Sequence, residues 1–205
     1  EDRFRGLESI AAQLSPAILG NPAALQALLE QRPIFQSLFN AGVIALRVDG
    51  TAVADVPLST GRLGVNYVDR EYIAAALNEG KSGISQPVRG KVLPAPVFGM
   101  AVPIRDSRGR VIGALAGTTD LSKPNFLDTI TRSTYSKTGS YLIVARQYRL
   151  IVTSSDKRRI METLPGPGVM PEIDRAMQGD VMSAVHVNPL GVEVIVSAKG
   201  VPVAN

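Results

Sequence analysis

Helix stability does not explain why an arginine stands at position 70. Arg70 follows Asp69, a plausible N-cap, in the first turn of a helix predicted over residues 70–78 and closed by Gly80. A cation at that end opposes the helix dipole, whereas its planar guanidinium suits bidentate binding of a carboxylate. Arg70 is therefore a candidate anion-binding residue, and the alternative is an internal ion pair or a loop anchor.

Asp120 ends a strand predicted over residues 111–119. Alternation along this strand places Asp120 on one face with four other residues, namely Ile112, Ala114, Ala116 and Thr118. Small side chains on that face leave room beside the sheet, so Thr118 and Asp120 are candidates for lining a pocket. Asp120 could instead cap the next helix, or it could pair with Arg70 when the pocket is empty.

Four further side chains are candidates for pocket walls. Tyr67 and Tyr72 flank Arg70, and their hydroxyl groups could orient a ligand. Phe98 and Met100 share one face of a strand predicted over residues 97–104. Core packing is the simpler explanation for Phe98 and Met100.

Catalytic and cofactor signals are sparse. The chain has one histidine, His186, and no cysteine, which leaves no Cys–His dyad and no His-rich metal cage. The Gly-x-Ser-x-Gly, Gly-x-Gly-x-x-Gly and Walker patterns are all missing from the sequence. We therefore predict no enzyme activity, no cofactor and no metal. A hydrolase that uses His186 is an alternative that ranks behind the non-catalytic functions given below.

Composition is that of a folded domain. The 205 residues are 45% hydrophobic and 20% charged, with a net charge of +4. The basic residues are scattered, aromatic residues make up only 5% and Trp is missing, so nucleic-acid binding is not expected. The sequence has no apolar run long enough to span a bilayer and begins with Glu, so we expect a fragment whose flanking membrane helices have been removed.

The first forty residues have the pattern of a long helix. Apolar residues recur on one stripe at three- and four-residue steps: Phe4, Leu7, Ile10, Leu14 and Ile18. Pro16 should kink or segment this helix, and Gly20-Asn21-Pro22 reads as a stop and a restart.

Two similar sets of strands follow. The first is predicted near residues 42–48, 51–57, 84–88, 97–104 and 111–119, and the second near 140–145, 148–153, 181–187 and 192–197. Residues 71–80 and 172–179 share a helix that ends at glycine, and residues 101–104 match 200–203. The second set lacks a counterpart of residues 111–119, so we expect that module to be truncated at its C-terminal end.

Four segments in this order resemble the double Cache family of PAS-like extracytoplasmic sensors. They are Gly64–Tyr72, with Asp-Arg-x-Tyr at a helix entry; Pro103–Leu115, a hairpin with Asp and Gly in its turn; Thr118–Leu121, with Asp-Leu at a strand end; and Thr138–Val144. The resemblance implies an α+β fold in which a long N-terminal helix (residues 1–40) precedes two modules. These are a membrane-distal ligand-binding module (41–125) and a membrane-proximal module (126–205), each with an antiparallel sheet flanked by helices.

The resemblance also implies a function. It places Arg70 and Tyr72 at the distal pocket, and in relatives that bind amines or amino acids the residue matching Asp120 takes the ammonium group. The chain departs from amino-acid-binding relatives where Ile73 follows Tyr72 and where the next strand reads Ile84-Ser-Gln-Pro-Val-Arg89. A small carboxylate or another anion is therefore as plausible a ligand as an amine such as an α-amino acid.

Taken as a member of that family, the chain is predicted to be the periplasmic small-ligand sensor of an inner-membrane signalling protein. Its output domain would be a diguanylate cyclase, a histidine kinase or a chemoreceptor, and homodimerisation through the N-terminal helix is possible. The alternative is an interaction or dimerisation module without a ligand.

Overall fold

The computed structural model describes residues 2–131, 138–187 and 191–200. The N-terminal part forms four short helices: α1 (Asp2–Ala11), α2 (Pro16–Leu19), α3 (Pro22–Glu30) and α4 (Ile34–Leu38). Strands and one helix follow: β1 (Val43–Arg47), β2 (Ala52–Val56), α5 (Glu71–Ala74), β3 (Gly83–Ile84), β4 (Val88–Arg89), β5 (Pro96–Arg105) and β6 (Val111–Asp120). The remainder contains α6 (Asp128–Thr131), β7 (Leu142–Ala145), β8 (Leu150–Ser154), α7 (Pro171–Gln178), β9 (Met182–Val187) and β10 (Glu193–Ala198).

The expected long N-terminal helix is divided into these short helices. The Ser15 hydroxyl accepts a hydrogen bond from the Ile18 amide, and the Asn21 side chain accepts one from the Ala24 amide. Pro16 and Pro22 stand directly after these caps, where the missing amide hydrogen costs nothing. Each Ser-Pro or Asn-Pro pair therefore starts a new helix. The chain is segmented at Pro16 and restarts at Asn21-Pro22, as the sequence indicated, and the single long helix is not formed.

The central sheet is antiparallel and has the order β2-β1-β6-β5-β3, with β4 also paired to β5. Strands β5 and β6 form its longest ladder, which runs from Val97 opposite Asp120 to Arg105 opposite Val111. The Asp106 carboxylate closes the hairpin by accepting hydrogen bonds from the amides of Arg108 and Arg110. Strands β1, β2, β5 and β6 agree with the prediction from the sequence, whereas the strand predicted near residues 84–88 is divided into β3 and β4.

Two cores lie on opposite faces of this sheet. The helix-side core joins the four N-terminal helices to the sheet and includes Leu7, Leu25, Phe35, Phe39, Val102 and Leu115. The cleft-side core joins α5 and the π-helical turn Ala75–Glu79 to the other face and includes Ile44, Ile73, Leu77, Ala101, Ala114 and Ala116. The small residues on that second face leave space for a cleft.

The described residues after α6 do not form a second sheet of the same topology. Strands β7 and β8 make one two-stranded sheet, and β9 and β10 make another. In the central sheet β6 bridges β1 and β5, and no described strand takes that bridging place between the two later hairpins. Within residues 2–131, 138–187 and 191–200, no helix is both long enough and apolar enough to cross a membrane.

Candidate functional site

A cleft opens on the side of the central sheet away from the N-terminal helices. Its floor is made by Ile44 and Thr118 from β1 and β6, and one wall by Tyr67, Arg70 and Tyr72 at the entry to α5. Residues 89–95, the last residue of β4 and the loop that leads to β5, are called the strap below and contribute Gly90, Lys91, Val92 and Leu93 to the lining. The cavity volume is about 40 Å³, room for about three water molecules, so a larger ligand requires the strap to move.

A buried ion pair, Arg62 with Asp55, supports the floor. The side chains of Arg62 and Asp55 are 4% and 0% exposed, and their closest nitrogen and oxygen atoms are 2.6 Å apart. The same carboxylate also accepts hydrogen bonds from Nε of Arg62 (2.8 Å) and from its backbone amide (2.7 Å). Another guanidinium nitrogen lies 3.5 Å from the Thr118 hydroxyl, so the pair fixes a polar group at the bottom of the cleft.

Tyr72 lies flat against the sheet because Gly99 has no side chain. A Cβ atom placed on Gly99 would be 2.5 Å from the Tyr72 hydroxyl oxygen. Gly99 is paired with Thr118 across β5 and β6, so the two hydroxyl groups occupy neighbouring positions on the sheet. Burial raises the pKa of Tyr72 to about 12 despite the opposing charge of Arg70, so this phenol is neutral at pH 7 and able to donate a hydrogen bond.

Arg70 is the cation at the wall of the cleft. It has extended backbone geometry and occupies the N-cap position of α5, but its side chain makes no capping hydrogen bond. Its guanidinium donates one hydrogen bond of 3.2 Å to the carbonyl of Arg89 in the strap. Arg70 forms no ion pair with any residue in the described part of the chain. Its remaining donors are therefore available to an anion in the cleft.

Lys91 holds the strap over Tyr67. Its ammonium group donates to the backbone carbonyl of Asn66 at 2.8 Å and to the carboxylate of Asp69 at 2.5 Å. It also lies 5.5 Å from the centre of the Tyr67 ring, a cation–π distance. Burial raises the pKa of the Tyr67 phenol, and the hydrogen bond from Lys91 lowers the pKa of Asp69.

Asp120 is not among the residues that line the cleft, although its strand position suggested that it would be. Its carboxylate accepts hydrogen bonds from the amide (3.0 Å) and the hydroxyl (2.5 Å) of Ser122, and Lys123 lies 3.6 Å away. The reason is local, because a carboxylate at a strand end can bind the backbone two residues on and so form a turn. It neither caps α6, which begins at Asp128, nor pairs with Arg70.

Phe98 and Met100 also lie elsewhere. Both belong to the helix-side core, and the Phe98 ring packs against Phe126 with 6.4 Å between centroids. Strand alternation explains this, since Val97, Gly99 and Ala101 occupy the cleft face of β5. The structure thus brings together Tyr67, Arg70, Tyr72 and Thr118 of the seven candidates and leaves Phe98, Met100 and Asp120 outside.

The cleft is cationic and contains hydroxyl groups. Arg62 is neutralised by Asp55, which leaves Arg70 and Lys91 as the other cations of the lining, and no Asp or Glu belongs to that lining among the described residues. Such a set can bind and orient an anion, but it contains no nucleophile activated by a base. Across the described ranges no three His, Cys, Asp or Glu residues could hold a metal, and the His186 side chain in β9 makes no hydrogen bond or ion pair there.

Arg62, Asp55 and Lys91 were not predicted from the sequence. Arg62 lies in a stretch, residues 61–67, that has no strand or helix periodicity, and Asp55 sits in an otherwise apolar strand. A buried acid in a strand followed seven residues later by Arg is a detectable signal, since each needs a partner. Lys91 carries no such signal, because its role depends on the path of the strap.

Comparison with known proteins identifies the family. The Cache domain family dCache_1 matches residues 1–205, whereas no curated protein sequence matches the chain. An extracellular ligand binding receptor from Desulfohalobium retbaense is 18% identical with a TM-score of 0.68; the match covers 92% of this chain but only 33% of that receptor. The ligand binding domain of the Pseudomonas aeruginosa amino acid chemoreceptor PctB, in complex with L-Gln, is 24% identical with a TM-score of 0.67 and coverages of 95% and 74%. The sensor domain of the V. cholerae histidine kinase DctB is 16% identical with a TM-score of 0.56 and coverages of 79% and 60%.

The family match over the whole chain confirms the resemblance seen in the sequence motifs, and the chain belongs to the double Cache family of extracytoplasmic sensor domains.

Proposed function

We propose that this chain is the sensing domain of a bacterial inner-membrane signalling protein and that its cleft binds a small carboxylate. The output domain would be a diguanylate cyclase, a histidine kinase or a chemoreceptor, and the sensor would face the periplasm. The structural neighbours, sensor domains of chemoreceptors and of a histidine kinase, support the class. At identities below 25% they establish the fold alone, so the ligand class is argued from the cleft.

The observation that carries the proposal is Arg70. It lies at the cleft wall, it has no acidic partner within the described residues, and it donates only to the Arg89 carbonyl. A half-buried guanidinium without an acidic partner gains a charge-assisted hydrogen bond when it meets an anion. The hydroxyl groups of Tyr72 and Thr118 stand beside it on the same face and can orient a carboxylate oxygen.

An ammonium group has no comparable partner in the cleft. Asp55 already accepts two hydrogen bonds from Arg62 and forms an ion pair with it, and Asp120 is engaged with Ser122 and Lys123. The PctB domain is in complex with L-Gln, but binding an α-amino group here would require a carboxylate that the described cleft residues do not offer. We therefore favour a carboxylate without an amine.

A ligand-free dimerisation module is the second candidate. Its natural interface would be the apolar stripe of the N-terminal helices, yet Leu7 and Leu14 are 0% and 2% exposed because they pack on the central sheet of the same chain. A homodimer through this region would have to use the outer faces of the helices. The polar cleft favours the ligand-binding function over this one.

Ligand-induced thermal stabilisation tests the proposal. Saturation at a hundredfold excess over Kd stabilises a protein by about 2.7 kcal/mol, which raises Tm by about 5–11 °C for a chain of this size. We expect acetate, butyrate or succinate to produce a shift that Arg70→Ala abolishes. Arg108→Ala removes the same charge at the far turn of the β5–β6 hairpin and should retain the shift. A response that survives Arg70→Ala, or no response from any carboxylate, contradicts the proposal.

A further inference from the structure

The strap is attached to the helix entry by the hydrogen bonds of two side chains, and both side chains are cations of the cleft. Arg70 donates to the Arg89 carbonyl, and Lys91 binds Asp69 together with the Asn66 carbonyl. The strap's own hairpin is closed separately by a 3.0 Å hydrogen bond from the Gly90 amide to the Ala95 carbonyl. The strap can therefore keep its shape while its attachment to the helix entry is exchanged for other partners.

Asp69 is a replaceable partner for Lys91. The Asp69 side chain is 58% exposed, whereas that of Lys91 is 27% exposed, and Lys91 lines the cleft while Asp69 does not. Ion pairs with an exposed member contribute little to stability. An anion inside the cleft would meet Lys91 on its covered side, and Asp69 would remain solvated after the exchange.

Arg70 and Lys91 are the two lining cations that no buried acid neutralises, because Asp55 is committed to Arg62. One anionic group engages Arg70 alone and leaves Lys91 with Asp69. A second anionic group on the same molecule can take Lys91 as well, and the ligand then joins the helix entry to the strap.

From this geometry we infer that Lys91 is a ligand-binding residue and that the ligand is a dicarboxylate, with one carboxylate on Arg70 and the other on Lys91. This inference rests on the proposed function and adds the second anionic group, a residue that selects for it, and closure of the strap by the ligand itself. Tyr67, beneath the Lys91 ammonium, provides the wall that keeps the second group shielded from water.

Calorimetry of the whole protein tests the inference with pairs of mono- and dicarboxylic acids that have the same number of carbon atoms. Malonate, succinate and glutarate are compared with propionate, butyrate and valerate, and the best dicarboxylate should bind about tenfold or more tightly than its partner, the effect of one added charge-assisted contact. Lys91→Met keeps the length of the side chain and should remove this preference while leaving the monocarboxylate affinity within about twofold, since one lost contact leaves the Arg70 contact intact.

Asp69→Asn separates binding from a purely structural role. It breaks the same ion pair as Lys91→Met, so a structural role for the pair predicts the same effect from both variants. Our inference predicts different effects: dicarboxylate affinity is lowered by Lys91→Met, whereas it is unchanged or raised by Asp69→Asn because the competing acid is gone. Equal binding of mono- and dicarboxylates, or parallel losses in the two variants, overturns the role of Lys91 and leaves carboxylate sensing intact. If none of the six acids binds, the proposed function itself fails.

Discussion

Substitution of one member of the buried Asp55–Arg62 ion pair should destabilise the protein, because the other charge is left buried without a partner. Asp55→Ala leaves a guanidinium that is 4% exposed with no anion, and with only long contacts of 3.4–3.5 Å to the carbonyls of Val43 and Val56 and to the Thr118 hydroxyl. Breaking a buried pair in this way costs about 3–5 kcal/mol. At about 2–4 °C per kcal/mol for a chain of this length, Tm should fall by about 6–20 °C.

Removing both charges should cost less than removing one. Arg62→Met leaves the Asp55 carboxylate buried with one backbone donor, the Arg62 amide, whereas the double variant Asp55→Ala/Arg62→Met contains no uncompensated charge. Replacement of a whole buried pair by apolar residues is often neutral or stabilising, so the double variant should be more stable than either single one.

Urea unfolding followed by circular dichroism measures this double-mutant cycle. Arg158→Met is the control, because Arg158 pairs with Asp156 at a similar 2.7 Å but is 89% exposed, and its loss should leave the unfolding midpoint unchanged. The reasoning is refuted if the two single costs simply add in the double variant, or if Asp55→Ala unfolds at the urea concentration of the original chain.

Three further predictions concern the cleft and its supports. Gly99→Ala should weaken carboxylate binding while the chain still folds, measured by calorimetry and circular dichroism, because the new Cβ would lie 2.5 Å from the Tyr72 ring; unchanged affinity would show that the ring position is unimportant. The Tyr72 phenol, compared with Tyr72→Phe by ultraviolet titration, should ionise near pH 12. Its neutral form favours the folded state fully below pH 10, the ordinary pKa of tyrosine, and this stabilisation should be lost as the pH rises from about 10 to about 12. Asn40→Ala should lower the free energy of unfolding by about 1–3 kcal/mol, since the Asn40 amide binds both the backbone NH and the carbonyl of Asp120; a loss below about 0.5 kcal/mol would mean that water replaces it.

The sheet was predictable because its signals are local. Asp106 and Gly109 mark the turn of the β5–β6 hairpin, and hydrophobic runs on either side supply the strands. Gly80, with φ of +66°, ends the helical segment after Arg70 as expected. The N-terminal helix was less predictable, since an apolar stripe is the same whether one helix or several short ones carry it to the core.

Part of the cleft was predictable for the same reason. Alternation placed Thr118 on the face with small residues, and the helix entry placed Tyr67, Arg70 and Tyr72 together. Asp120 shows the limit of such reasoning, because alternation fixes the direction of a side chain only while the strand continues. At the strand end the Ser122 amide competes for the carboxylate at 3.0 Å. Which of these residues contact a ligand remains a prediction.

The remaining features depend on contacts between distant parts of the chain. Lys91 meets Asp69 across 22 residues, and no periodicity in the sequence encodes the path of the strap. The later hairpins β7–β8 and β9–β10 were predicted one by one, but the sheet that we expected them to share requires a bridging strand, and pairing between distant strands is the element that local signals do not determine.

The contacts of Asp55 connect the cleft to the helices on the other face of the sheet. On the backbone side, the Gln26 side chain in α3 donates to the Asp55 carbonyl (2.8 Å) and accepts from the Asp55 amide (2.9 Å). On the other side, the Asp55 carboxylate binds Arg62, which lines the cleft. A ligand that draws the Arg62 guanidinium toward itself therefore acts on a residue to which α3 is also attached. The ligand can shift the arrangement of these elements only by the difference between its affinities for the two arrangements. The buried pair limits how far Arg62 can follow, so a ligand anchored mainly by Arg70 would act through the strap, whereas one that also engages Arg62 would act through β2 and α3.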